Sequence, residues 1–216
     1  MGYLERRAPY VAAHRADLGE VFEDIAVTVT SLHEATGATT VGSVFDRSRW
    51  DGVLRDRLLL RNKLTAVDFA ADEAGDRLNP GDLDGFLISS AGLSAENING
   101  TTEAALDEAL TADEPDAELA RVLGVLLGVR LDQVASSSVT TTSNFGSLIG
   151  ARQAGRGVKR WVVNSGNPRA KHAAMNGSAV PLGSRFGNGM DYPGDPIGGA
   201  DNNANCQCSM TFEGDD

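Results

Sequence analysis

Apolar positions over most of this chain recur at three- and four-residue steps, the spacing that keeps them on one face of a helix. Leu18, Val21, Phe22, Ile25, Val29 and Leu32 follow it, which predicts an amphipathic helix from about Pro9 to Ala35, ended by Gly37. A second stripe, Trp50, Val53, Leu54, Leu58, Ala66 and Phe69, runs from a start near Ser48 to about Ala74, before Asn79-Pro80-Gly81 breaks the chain. A short helix over Leu83–Ser90 should precede one capped by Ser94 that carries Ile98, Ala105, Leu106 and Ala109 as far as Glu114-Pro115. Further helices are expected from Asp116 to about Leu127 and over Val139–Ala154, the last closed by Gly155. Stripes of this width fill a protein's own core or dock on a partner, and Leu18–Leu32 and Trp50–Phe69 are the candidate docking helices.

The pattern changes near residue 156. Lys159-Arg-Trp-Val-Val163 has the β-branched and aromatic content of a strand, and Ser178–Pro181 and Cys206–Phe212 are two more candidates. Ser165-Gly-Asn-Pro168 reads as a turn before a short helix over Arg169–Met175, with Asn167 as its cap and Pro168 at its first position. A bound anion at that helix start, assisted by Arg169, is the functional alternative. Residues 181–205 hold six Gly and three Pro in 25 positions, too little apolar matter to fold unaided, so something must hold this loop or it is mobile. The expected fold class is α+β: a helical region over residues 1–156, then a small mixed α/β domain over 157–216 with a Gly-rich loop.

Charge divides the chain at the same place. Of the net −11, residues 1–150 contribute −12 (12 Lys/Arg against 24 Asp/Glu) and residues 151–216 contribute +1 (7 against 6). An acidic body repels nucleic acid, which is bound mainly through phosphates. The local exception is Arg152, Arg156, Lys159, Arg160, Arg169 and Lys171, a window without a carboxylate. It suits a phosphate, an acidic partner or the acidic helical region itself. No apolar run approaches a membrane span and the first residues lack a signal-peptide core, so a soluble protein made in a cytoplasm, with reduced thiols, is expected.

Cys206 and Cys208, one residue apart on a strand, would point to one face. With His172 they make three tetrahedral-type metal donors, with Asp195, Asp191 or water as a fourth, and a structural zinc would tie the Gly-rich loop to the short helix. The alternative is two small buried thiols and a histidine bonded to backbone. A hydrolase using His172 as base would need Ser165 or Ser178 and the Asp191/Asp195 pair, in spacings that match no catalytic motif. His14 and His33 sit inside helical patterns and read as surface or core-edge residues.

Trp161, then Arg169-Ala-Lys-His172, Tyr192-Pro-Gly-Asp-Pro196 and Cys206-Gln-Cys208 occur in an order that resembles the C-terminal domain of the phage Mu protein F-like minor head proteins. The resemblance is strongest over Val158–Phe212. It extends weakly to Phe45–Leu58, Ile98-Asn99-Gly-Thr-Thr102 and Val139–Gly155, and is greatest to versions from tailed phages of actinobacteria. One departure is Asn167, where many relatives carry an acidic residue, which weakens a catalytic or metal role there. The resemblance implies a non-enzymatic minor capsid and head-morphogenesis protein in the virion, at the capsid interior and portal vertex. Its partners would be the portal protein and the major capsid protein, with limited contact to packaged DNA and none to membrane. A metal-stabilised interaction module of another host is the alternative.

Overall fold

A computed structural model describes residues 2–214. It is 71% helical with one small antiparallel sheet, an α+β fold. Helix α1 (Tyr3–Thr36) starts with the Gly2 N–H donating to the Glu5 carboxylate (2.9 Å) and ends on Gly37, whose φ of 62° is the left-handed cap conformation. It begins before Pro9, earlier than expected. Tertiary contacts hold this first stretch: the Tyr3 hydroxyl meets Ser143 Oγ (3.0 Å), and the buried Arg7 donates to Ser136 O (2.7 Å) and Thr140 Oγ1 (3.0 Å).

Helix α2 (Arg47–Ala74) is capped by Asp46, which accepts from the Arg49 N–H (3.1 Å), so the cap lies two residues before Ser48. Helix α3 (Gly81–Leu110) is continuous, and the expected break at Ser94 does not occur. Leu83, Leu87, Ala91, Ala95 and Ile98 are all buried on one face across that point, so packing overrides the serine's local capping preference. Likewise no gap separates the last two helices. Helix α4 (Pro115–Val125) passes through a π-turn at Leu126–Arg130 into α5 (Leu131–Gln153), with Gly128 absorbing the distortion at φ −106°, ψ −106°. This joined run is apolar and long enough to cross a membrane by composition alone. In the fold α5 instead lies against α1 and α2 and contributes Ala135, Val139, Leu148 and Ala151 to the interior.

One apolar cluster fills the space between α1, α2, α3 and α4 around Phe22, Trp50, Leu54, Leu106 and Leu126. Leu18, Val21, Phe22, Ile25, Val29, Trp50, Leu54, Leu58, Ala66 and Phe69 lie inside, so the two stripes offered for docking are mostly core, and of their residues Leu32 and Val53 stay exposed. A second cluster joins Ala66, Ala70, Leu83, Leu87, Phe145 and Leu148 of the helices to Trp161, Phe186, Tyr192 and Met210 beyond residue 156. The C-terminal part therefore shares an apolar interior with α2, α3 and α5.

The sheet has the order β2-β1-β3, both pairs antiparallel, from β1 (Arg156–Val162), β2 (Ala179–Pro181) and β3 (Ser209–Gly214). Trp161 pairs with Met210 and Arg160 with Thr211. The predicted third strand began at Cys206. In fact the cysteines lie in the segment just before β3, because the carbonyls of Cys206 and Cys208 bond to side chains of α5.

Candidate metal centre

Helix α6 (Ala170–Met175) presents His172 to the segment entering β3. His172 Nδ1 is 3.6 Å from Cys206 Sγ and 3.5 Å from Cys208 Sγ, and the three donor atoms all lie within 4.8 Å of one another. Tetrahedral bonds of ~2.3 Å to sulfur and ~2.0 Å to nitrogen put such a pair roughly 3.6 Å apart. The donors are thus already at metal-ligand spacing. All three residues are buried, His172 to 3% exposure and each cysteine to 2%. This buried cluster can take a metal ion.

Helix α5 sets that spacing. Thr140 Oγ1 donates to the Cys206 carbonyl, and Asn144 Nδ2 donates to the Cys208 carbonyl (3.0 Å) and to Thr140 O (2.9 Å). Asn164 Nδ2 reaches the intervening Gln207 carbonyl (2.9 Å) and Ser209 Oγ (2.9 Å). Every carbonyl from Cys206 to Cys208 is thereby tied to a side chain, so the CxC backbone is fixed independently of any metal. Trp161, fully buried, stands edge-on to His172 (5.7 Å) and to Phe186 (5.1 Å) and walls the site from the sheet side.

The Tyr192-Pro-Gly-Asp-Pro196 turn packs on the same helix. Gly194 has φ 85° and lies flat against α5, where a Cβ would fall 3.0 Å from the Thr141 backbone, and its carbonyl accepts from Thr141 Oγ1 (2.8 Å). Tyr192 packs against Phe86 and Phe145. The Gly-rich loop is held by these contacts, with Leu182, Phe186, Met190 and Tyr192 reaching the second core cluster.

The two thiols share their protons unequally. The hydrogen bond from Cys208 pulls Cys206 down to about 7 against the cost of burial, while the same bond, together with burial, pushes Cys208 up. Arg169 and the buried Arg7 add positive potential at Cys206. Burial, then the Arg169 charge, lowers His172, so its imidazole is neutral near pH 7, the form that ligates. His172 Nε2 is buried and has no hydrogen-bond partner.

Asp195, expected as a fourth ligand, is placed elsewhere: its carboxylate accepts from the Asp191 N–H (2.8 Å) and the Ile197 N–H (3.0 Å) and so closes the turn. Asp191 faces Lys159 (3.9 Å) and Arg185 (3.6 Å). No carboxylate joins His172, Cys206 and Cys208 among the described residues.

The basic window does not form one surface. Lys159 is fully buried, with its ammonium donating to Asp191 O (2.7 Å); Arg160 pairs with Glu213 (2.7 Å); and Arg169 donates to Ala204 O. Arg152, Arg156 and Lys171 remain exposed. Asn167 does not cap α6, which starts at Ala170 behind Arg169, and its N–H donates to Ser165 Oγ (3.2 Å). His14 is a core residue, with Nδ1 2.9 Å from Tyr10 O and Nε2 3.1 Å from Asn62 Oδ1, and His33 lies 2.9 Å from Asp116.

Thr140 and Asn144 were not legible as site residues. Their only sequence signal is the Ser/Thr run that opens α5, where hydroxyls and an amide interrupt a helix otherwise apolar on that face. No family model, curated protein or solved structure matches the chain, so the site stands on its own geometry.

Proposed function

We propose that this chain is a minor capsid and head-morphogenesis protein of a tailed bacteriophage, acting by binding at the portal vertex, with a structural zinc held by His172, Cys206 and Cys208. The observation that carries the reading is convergence. Trp161, His172 and the CxC segment, scattered over some 48 residues, meet at one site, and the Tyr192–Pro196 turn packs on α5, the helix that also holds the CxC carbonyls. The motifs that carry the resemblance to Mu F-like minor head proteins thus behave as one structural unit. Binding rather than catalysis is favoured because all three donors are buried, whereas a catalytic zinc needs a position that substrate can reach.

Zinc bound there would contribute folding energy by tying α6 to the entrance of β3. His172 would ligate through Nδ1, the nitrogen facing both sulfurs. The partners are the portal protein and the major capsid protein. Contact with packaged DNA would fall to the exposed Arg152, Arg156, Arg169 and Lys171, in a chain of net charge −11.

Co-sedimentation of the tagged chain with procapsids, and mass spectrometry of purified virions, tests the assembly role. Absence of the chain from both particles sinks it, whereas absence of zinc from the purified protein sinks only the metal.

A further inference from the structure

Between α3, the start of α5 and the Gly-rich loop lies a cleft of about 390 Å³, within the ~300–1,000 Å³ range of small-molecule sites. Its walls are more apolar than polar, with Ile98, Val134 and Pro196 beside Ser94, Asn97 and Ser138, and its single charged residue is Arg130. None of His172, Cys206 and Cys208 lines it.

Arg130 is the last residue of the π-turn. Such turns shift the following residues by one position relative to a regular helix and recur at functional sites. Its guanidinium makes one hydrogen bond, from Nη2 to Thr101 Oγ1, and its Nε is buried without a partner. Among the described residues no carboxylate stands within ion-pair distance of it. Burial alone lowers its proton affinity, with no opposing charge to offset it. A second unpartnered polar atom, the buried Asn203 Oδ1, belongs to a residue on the loop side of the same cleft.

We propose that this cleft is a binding site for a small hydroxylated molecule bearing one oxyanion, either a phosphate monoester or a carboxylate. Arg130 receives the anion, and the serine, threonine and asparagine side chains receive the hydroxyls. A guanidinium fork matches both anions in geometry, and a partly buried arginine without a carboxylate gains from a charge-assisted bond that an exposed one would not. The hydroxyl and amide groups set among the apolar walls can take the ligand's hydroxyls.

The test is ¹⁵N–¹H NMR titration of the full chain with glycerol 3-phosphate, glycerate and uncharged glycerol, each at millimolar concentration. One or both anions should move the amides of Ser94, Ser138, Thr141 and Gly194, and glycerol should not; which anion binds distinguishes phosphate from carboxylate. Arg130→Gln should weaken binding about tenfold or more, as loss of a charge-assisted hydrogen bond requires. Ser94→Leu, which fills the cleft from α3 and leaves Arg130 untouched, should also abolish it and covers the case in which Arg130→Gln does not fold. Arg55→Gln, at a remote exposed ion pair, should leave it intact. Equal shifts with glycerol, no shift with either anion, or unchanged binding by Ser94→Leu would each overturn the proposal.

Discussion

Gly146 of α5 lies so close to Ala66 of α2 that a Cβ on the glycine would sit 2.2 Å from the alanine's carbonyl oxygen. One turn later Gly150 meets Ala70 O at the same 2.2 Å. The two helices cross through paired small residues with backbone against backbone, and this contact places Thr140 and Asn144 where they hold the CxC segment.

Gly146→Ala should therefore destabilise. Helix propensity favours alanine by ~1 kcal/mol, but the clash is with a backbone carbonyl that cannot rotate away, and overpacking of this kind costs ~1–3 kcal/mol or more. Gly124→Ala on α4, where a Cβ meets nothing, should instead stabilise by ~0.5–1 kcal/mol. Urea midpoints of the two variants should move in opposite directions, and a stabilised Gly146→Ala protein would refute the close crossing.

Protein purified without chelator should carry one zinc per chain by elemental analysis. Chelation should lower the melting temperature, and Cys208→Ser should cost more than the ~0.5 kcal/mol that bounds ordinary surface changes. A metal-free protein whose melting ignores chelator would leave Cys206 and Cys208 as a buried thiol pair.

Stability should fall on mild acidification. Burial lowers His14 in the folded state below its ordinary ~6.5, so the folded protein binds fewer protons there than the unfolded chain. That contribution is complete above the unfolded value and is lost as pH falls from it through the lower folded one. His33 has the opposite sign, because the hydrogen bond to Asp116 raises it, and its support is lost as pH rises through the folded value. Its partner Asp116 is almost fully exposed, so the pair contributes little. Urea melts at pH of about 7.5 and about 5.5 should show the drop, reduced in His14→Gln; an unchanged pH slope would exclude His14 as the source.

Lys159 and Arg160 are neighbours in sequence with unlike roles. Lys159→Met removes the donor to the half-buried Asp191 carbonyl from a fully buried position and should cost ~1–3 kcal/mol, since that acceptor loses its partner. Arg160→Gln breaks an exposed pair with Glu213 and should stay within ~1 kcal/mol. Comparable losses in chemical denaturation would contradict the burial of Lys159.

The helical stripes, the change of character near residue 156 and the residue types of the metal centre are legible along the chain. Each is a local signal: periodicity for Leu18–Val29 and Trp50–Phe69, β-branched and aromatic content for β1, and thiol and imidazole chemistry for Cys206, Cys208 and His172. What those signals leave open is which faces meet. Ser94 looks like a cap until the continuous burial of Leu87, Ala91 and Ala95 shows why α3 does not stop there. Asp195 looks like a ligand until the Asp191 and Ile197 amides take both its oxygens.

The tertiary structure alone decided the rest. Lys159 and Arg160 alternate across a strand, so one enters the interior and the other faces solvent. Thr140 and Asn144 lie more than 60 residues from the cysteine carbonyls they bind. Gly146 and Gly150 mark a close approach only once Ala66 and Ala70 are opposite them. Contacts between distant segments depend on how helices pack, and packing is set by shape across the whole chain rather than by spacing within any part of it.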